Sequence, residues 1–514
     1  LRGLGTSGAG NAGFVVDLTS DLVKNVLSGG VRPTLRVPVW IAPRRAGNRV
    51  VRGQGEWTDR GASSPMADHS LPPAYVLWFG PTGLSVARSL GRAGVPVVAL
   101  HHDANEPCVN TRYARVVIKP AIDVDEQATL DWLVEEGQAI APRKGVLIPA
   151  SDAYWLFVAK HRAMLEEYFH VAMPRHGEPE RWIGKPFQYE AAKRAGLRVP
   201  TTRLIERPED TDAAAEAIGF PCLVKPVLSH LWQRKFHSKL AFVRDSTQWR
   251  RWTGDALEQG LAVMAQEYIP APDDEIYGAF LCVDRHSQPL GHCVSRKLRQ
   301  HEPRFGNSCL SECANEPRVI ELALRLVREL GYHGICSAEF KRDPRDGEFK
   351  LMEINLRPTT LMAVAFKSGV NLPLLSYRDC LGLPPPAAPV TPKRFGRRVG
   401  ILANDLHASR FHRKQEGLST LAWLRSWVGT SDVHFAWDDL GPFRGYLHAM
   451  KDHWRRGKYR DVPSNYPTPE EWAAGRWPMR QSPAGEPTSV SGEEPGLLIH
   501  TVPMPLTEVP TVSV

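Results

Sequence analysis

Long apolar runs are missing from this 514-residue chain. No stretch of about 18 consecutive apolar residues occurs, so no transmembrane helix is expected. An apolar segment of about 7–15 residues behind a basic start is also missing, which argues against a secretory signal. The eight cysteines are scattered. Their one close pair, in Cys309-Leu310-Ser311-Glu312-Cys313, lacks both a second pair and histidine neighbours, which makes it a poor zinc signal. The thiols read as reduced, in a cytoplasmic protein. A basic stripe interleaved with aromatics is absent too. The net charge is +8, but residues 1–65 carry nine Lys/Arg against four Asp/Glu, so only +3 is left for the rest. DNA and RNA are therefore not expected partners.

What is present suits a soluble globular protein of about three domains. Residues 1–65 are rich in Gly, Arg, Val and Pro and show no sustained period. They read as disordered or as a non-native extension, with translation expected to start at Met66. A transit peptide is the rival reading. The Pro-rich stretch LGLPPPAAPVTPKRFG marks a boundary near Leu381, and a small element with WLRSW and Trp437-Asp438-Asp439 follows it. The expected division is 1–65, 66–183, 184–382, 383–465 and a disordered tail over 466–514.

The chemistry concentrates in Glu339-Phe340-Lys341 and Met352-Glu353-Ile354-Asn355-Leu356-Arg357-Pro358. Two strands, GICSAEFKR and FKLMEIN, are joined by Asp343-Pro344-Arg345-Asp346-Gly347, whose Asp-Gly ending suits a tight hairpin. Alternation puts Glu353 and Asn355 on one face, with Arg357 following, and a hairpin in register adds Glu339. Two carboxylates and a carboxamide are the hard oxygen donors that Mg²⁺ prefers, with substrate phosphates completing its shell. A guanidinium beside them suits a transferring phosphoryl group.

From Gly184 to about Leu381 the order of features resembles the ATP-grasp superfamily, in its carboxylate–amine ligase-like branch. D-aspartate ligase, biotin carboxylase and D-alanine–D-alanine ligase are relatives there. Gly184-Lys185 opens a helical run that closes on Gly and Pro. Gly219-Phe220-Pro221-Cys222-Leu223-Val224-Lys225-Pro226 resembles the family's G-[FY]-P-h-h-h-K-P strand. The resemblance implies that Lys185 and Lys225 contact nucleotide phosphates, as lysine chemistry allows. Ala262-Val263-Met264-Ala265-Gln266-Glu267-Tyr268-Ile269-Pro270 resembles the family's hinge, which implies Glu267, Tyr268 and Ile269 at the adenine, with Glu275 a candidate for the ribose. Ser295-Arg296-Lys297-Leu298-Arg299-Gln300 resembles a basic segment of the same branch, and its spacing puts Lys297 and Arg299 on one strand face as catalytic candidates beside Arg357. The family's glycine-rich phosphate loop is replaced by residues 227–239, without one glycine, where Lys235 and Lys239 are the natural substitutes.

Ahead of this, Tyr75–Gly83, the run LSVARSLGRAG and Val95–Leu100 read as strand, glycine turn, helix, strand. The glycines fall short of G-x-G-x-x-G, though His101-His102-Asp103 supplies an acid after the second strand. The implied fold is α/β and α+β, a Rossmann-like preATP domain followed by a two-lobed ATP-grasp domain. The implied activity is an ATP- and Mg²⁺-dependent ligase, with Mn²⁺ an alternative metal, that joins a small carboxylate to an amine through an acylphosphate. Lys185, Lys225 and Lys239 would hold the nucleotide, and Glu339, Glu353 and Asn355 the metal. A homodimer stays open. A non-catalytic ATP-binding module and a nicotinamide-dependent oxidoreductase built on the first βαβ unit are the alternatives.

Overall fold

The computed structural model describes residues 70–174, 179–227, 236 and 240–455. The expectations for residues 1–65, for a start at Met66, for Lys235 and Lys239 and for the tail from 466 lie outside the described residues.

The first apolar runs form a five-stranded parallel sheet of β1 (Ala74–Leu77), β2 (Val97–His101), β3 (Arg115–Ile118), β4 (Gly145–Pro149) and β5 (Phe169–Val171). Strands β1, β2 and β4 are buried at every position, as a parallel sheet covered on both faces requires. The spatial order is β3-β2-β1-β4-β5. The chain therefore winds outward from β1 through β2 and β3, then returns to build β4 and β5 on the other side. The crevice beyond the carboxyl ends of β1 and β4 is the switch point of this topology. Helix Pro81–Gly91 follows β1 with proline at its start, and helix Asp152–Lys160 follows β4 with Ser151 Oγ accepting from Tyr154 N at 3.3 Å.

A second sheet is antiparallel, ordered β6-β9-β7-β8, from β6 (Thr202–Ile205), β7 (Cys222–Pro226), β8 (Ala241–Val243) and β9 (Val263–Glu267). The third has seven strands: β10 (Ile276–Val283), β11 (Pro289–His301), β12 (Asn307–Ala314), β13 (Gly334–Arg342), β14 (Phe349–Asn355), β15 (Arg398–Gly400) and β16 (Ser431–Asp432). Its order is β14-β13-β10-β11-β12-β15-β16. The expected hairpin is β13–β14, with Gly347 at φ +74° closing the turn, a conformation few side chains tolerate. Helix Pro317–Glu329 packs on this sheet through Val319, Leu322, Ala323, Leu326 and Val327, one apolar stripe at helical spacing.

The segment beyond the Pro-rich stretch is built into the third sheet through β15 and β16. Helix Leu402–Gln415 carries Asp405, which accepts from Arg299, Trp423 Nε1 and Trp427 Nε1. The acidic turn reaches the other way. Asp439 receives Arg88 Nε at 2.9 Å and Thr111 Oγ1 at 2.6 Å, while Asp438 pairs with Arg92 at 2.8 Å. One carboxyl-terminal segment thus ties the parallel sheet to the seven-stranded one.

Candidate active site

A cleft of about 760 Å³ opens between the four-stranded and seven-stranded sheets, and the carboxyl ends of β1 and β4 reach its far end. Lys185, Lys225, Glu267, Tyr268, Ile269, Lys297, Glu339, Glu353, Asn355 and Arg357 all line it. The β13–β14 register sets Glu339 directly across from Glu353, and Lys185, 168 residues before Glu353, meets them at the start of its own helix.

The charges are paired but not sealed. Lys185 Nζ lies 2.6 Å from Glu353 Oε2, and Lys297 Nζ lies 2.7 Å from Glu339 Oε2. Arg357 grips Asp152 with two bonds of 2.7 Å and reaches Asn355 Oδ1 at 3.3 Å. Lys185, with the charges of Lys297 and Lys225 behind it, holds the Glu353 carboxyl down to about 2 against the opposing push of burial. For Lys185 burial works against the charge, yet Glu353 leaves its pKa above the ordinary value. Lys225 has no carboxylate partner among the described residues. It donates to Gln266 Oε1 at 2.5 Å, and burial followed by the charge of Lys185 lowers its pKa to about 7. A buried amine next to another cation is short of negative charge, which a phosphate would supply.

No group of three or more His, Cys, Asp and Glu side chains gathers to hold a metal among the described residues. The donor set is two carboxylates on facing strands with a carboxamide two residues along, linked by Asn355 Nδ2 to Glu353 Oε1 at 3.4 Å. Oxygen donors in that number, leaving room for phosphate and water, fit Mg²⁺ and would not fit a soft metal.

Two sequence expectations fall elsewhere. Arg299 does not share a face with Lys297, because β11 is irregular between them: Lys297 pairs with Ser311 and Arg299 with the adjacent Leu310. That shift turns Arg299 away from the cleft into its buried pair with Asp405 at 2.6 Å. Glu275 does not line the cleft but pairs with Arg342 at 2.6 and 2.9 Å, because the short helical turn Asp273–Glu275 enters β10 where Ile276 pairs with Lys341, beside Arg342. Lys239 lies outside the described residues. Glu267 does line the cleft, although Lys350 at 2.5 Å and Thr201 at 3.2 Å already engage its carboxylate.

Other lining residues were not foreseen. Lys341 is nearly buried, stands 5.8 Å from the Tyr268 ring, and is lowered to about 8 by burial and by Arg304 and Lys297. Strand alternation from Glu339 could have found it. Asp152 was legible only as part of a helix start, since nothing local announces that it meets Arg357. Trp78, Arg304 and Asn404 join the lining from loops and a helix start with no motif of their own.

Residues 282–402 match the family described as ATP-grasp in the biosynthetic pathway with Ter operon. The chain is 26% identical over 284 residues to a D-aspartate ligase of Enterococcus faecium, covering 52% of this chain and 68% of the relative. It is also 26% identical over 323 residues to a formate-dependent phosphoribosylglycinamide formyltransferase of Solidesulfovibrio magneticus, covering 61% and 76%. By fold it is similar to the biotin carboxylase domain of the Hydrogenobacter thermophilus 2-oxoglutarate carboxylase, solved with MgADP, ADP and bicarbonate. That likeness has a TM-score of 0.50 at 16% identity, over 62% of this chain and 71% of that one. The likeness in sequence and in fold is to ATP-grasp proteins, as the order of motifs led one to expect.

Proposed function

We propose that this ATP-grasp chain is a ligase that uses ATP and Mg²⁺ to join a small carboxylate to an amine. The observation that carries the reading is the single cleft where Glu339, Glu353 and Asn355 meet Lys185, Lys225 and Arg357. In the first step a substrate carboxylate oxygen attacks the γ-phosphorus and ADP leaves, giving an acylphosphate. The amine then attacks the acyl carbon, phosphate departs, and the amine gives up its proton as the amide forms. Both steps ask the protein for positioning and charge rather than for a nucleophile of its own.

Bound Mg²⁺ would neutralise phosphate charge, held by Glu339, Glu353 and Asn355. Lys225 grips a phosphate, and Lys185 exchanges part of its contact with Glu353 for another. The planar fork of Arg357 follows the transferring group, which a point charge could not track equally well. Tyr268 and Ile269, with Leu223 and Met352, wall the base end of the cleft. We assign 66–183 to the preATP domain, 184–382 to the ATP-grasp domain and 383–465 to a small carboxyl-terminal element. No helix among the described residues is long and apolar enough to cross a membrane. The eight cysteines are unbridged, which supports a reducing, cytoplasmic setting.

The names of the relatives, a D-aspartate ligase and a formate-dependent formyltransferase, support small acids and amines as the classes to try. The test is to incubate the protein with ATP, Mg²⁺ and pooled small carboxylates and amines and to measure ADP and phosphate. Release that needs one compound of each class is the expected result. Release that ignores both pools, or none with any pair, would reduce the protein to a hydrolase or a binder.

A further inference from the structure

The carboxyl-terminal segment carries positive charge that no carboxylate among the described residues balances. Just beyond the run of prolines stands Lys393-Arg394-Phe395-Gly396-Arg397-Arg398. Arg398 is an anchor, donating to Ser426 O at 2.8 Å and to Val428 O at 3.2 Å. Its neighbours are free. Lys393, Arg394 and Arg397 are exposed, and none has an ion-pair partner among the described residues. Lys367, exposed and unpaired in the same way, lies beside them. Lys393 N donates to Ser368 O at 2.9 Å, and the Lys393 stem lies 3.4 Å from where a Cβ of Gly369 would stand. Burial, and then the charges of Arg92, Arg88 and Arg397, lower the pKa of Lys367 against the pull of Asp438. Cations crowded in this way favour an anion from outside.

Two aromatic rings stand among these charges. Phe395 is 53% exposed, and Trp437, at 82%, is the most exposed large apolar side chain among the described residues. The Trp437 ring leans on Phe435 at 4.7 Å, and Phe435 shares a small hollow with Phe366 and Lys367. Asp438, next to Trp437, is already engaged by Arg92 at 2.8 Å and by the Tyr113 hydroxyl at 2.6 Å. The backbone holds the patch in place. Gly396 N donates to Cys313 O and Cys313 N to Arg397 O, both at 2.8 Å, which ties the basic run to β12. A surface fixed beforehand loses little freedom on binding.

We propose that this patch is a peripheral docking surface that holds the chain against an anionic lipid leaflet. The proposal goes beyond the ligase reading and does not depend on it. Lys367, Lys393, Arg394 and Arg397 meet lipid phosphates, an attraction that fades within a Debye length, about 8 Å at physiological salt. An indole with an apolar body and a polar N–H settles at headgroup level, and Phe395 enters beside it. Rings that stand out from a surface suit a soft partner they can enter. A folded protein would need hollows to receive them, and a nucleic acid would ask for a longer track of phosphate contacts.

The experiment is sedimentation of the full chain with sucrose-loaded vesicles, made of phosphatidylcholine alone or in equal parts with phosphatidylglycerol. The wild type should pellet with the anionic vesicles, come off them in high salt and stay in solution with the neutral ones. The triple variant Lys393→Ala, Arg394→Ala, Arg397→Ala should bind on the order of 100-fold more weakly, the combined share of three cations. Trp437→Ala should weaken binding severalfold. The double variant Arg394→Lys, Arg397→Lys should keep most of it, because a leaflet reads charge rather than a planar fork. Tm should be the same in every variant, which separates lost docking from lost fold. Equal pelleting with both kinds of vesicle, or with neither, overturns the proposal. Anionic binding that the triple variant keeps within about fivefold, the share of a single cation, overturns it too. So does a duplex RNA that binds through the same residues more tightly than the anionic vesicles do.

Discussion

Glu353 and Asp405 are both carboxylates paired with a cation on the seven-stranded sheet side of the molecule, and they are built for opposite purposes. Asp405 is fully buried, its partner Arg299 retains 9% exposure, and two indole N–H groups and the guanidinium fill its oxygens. Glu353 and Lys185 keep 38% and 32% of their side chains exposed, and their single contact borders open cleft. A carboxylate saturated by a guanidinium and two indole N–H groups has nothing left to give a ligand. One with a single lysine can exchange that partner for a metal, and the lysine can turn to a phosphate. Saturation marks the strut, and an unfinished coordination marks the site.

The comparison breaks most visibly at the strut. Asp405→Ala leaves Arg299 buried without its partner and two indoles without an acceptor, so it should cost about 3–5 kcal/mol of stability. Chemical denaturation measures that cost, while turnover per folded molecule should hold. Glu353→Gln should do the reverse. The amide is nearly isosteric, so Tm should change little, but a charged metal ligand is gone and kcat should fall on the order of 10²–10³-fold. If Glu353→Gln turns over like the wild type, the carboxylate is only a partner for Lys185.

Arg357→Lys sharpens the contrast within the cleft. ATP affinity should stay within a few-fold, while kcat drops about tenfold or more, because the fork is needed chiefly in the transition state. Loss of stability with kcat intact would make the Arg357–Asp152 pair a strut like Asp405.

The smallest effect is one of pH. With its pKa near 7, Lys225 is largely neutral at pH 8 in the free protein. Phosphate favours the charged form, so nucleotide binding at pH 8 should take up protons and ATP affinity should weaken as pH rises from 7 to 9. Calorimetry in buffers of different ionisation heat reads the uptake, and Lys225→Met should abolish most of it. Stability follows the same sign. Between about 7 and the unfolded value near 10.4 the unfolded chain holds the extra proton, so the cost of this lysine shrinks as pH rises through that window and is largest below 7.

Much of this was readable beforehand where local rules govern. The strands GICSAEFKR and FKLMEIN have the bounds Gly334–Arg342 and Phe349–Asn355, because alternation and an Asp-Gly turn leave little freedom of register. Lys185 and Lys225 were placed in the cleft by motif. Arg299 was misplaced because alternation assumes an unbroken ladder, and the irregularity after Lys297 is set by pairing with β12, which no local pattern encodes. Asp152 and Asp405 escaped for a related reason. Their partners lie 205 and 106 residues away, and only the assembled fold brings them into reach.

The central claim is that the cleft is a nucleotide–metal site, and titration of the full chain with ATP in the presence of Mg²⁺ tests it most directly. The account predicts binding at one site per chain, strengthened by Mg²⁺ and weakened at least tenfold by Lys225→Met, with no heat on adding NADH. Saturable binding of NADH with none of ATP would contradict it, and would move the functional site to the first βαβ unit.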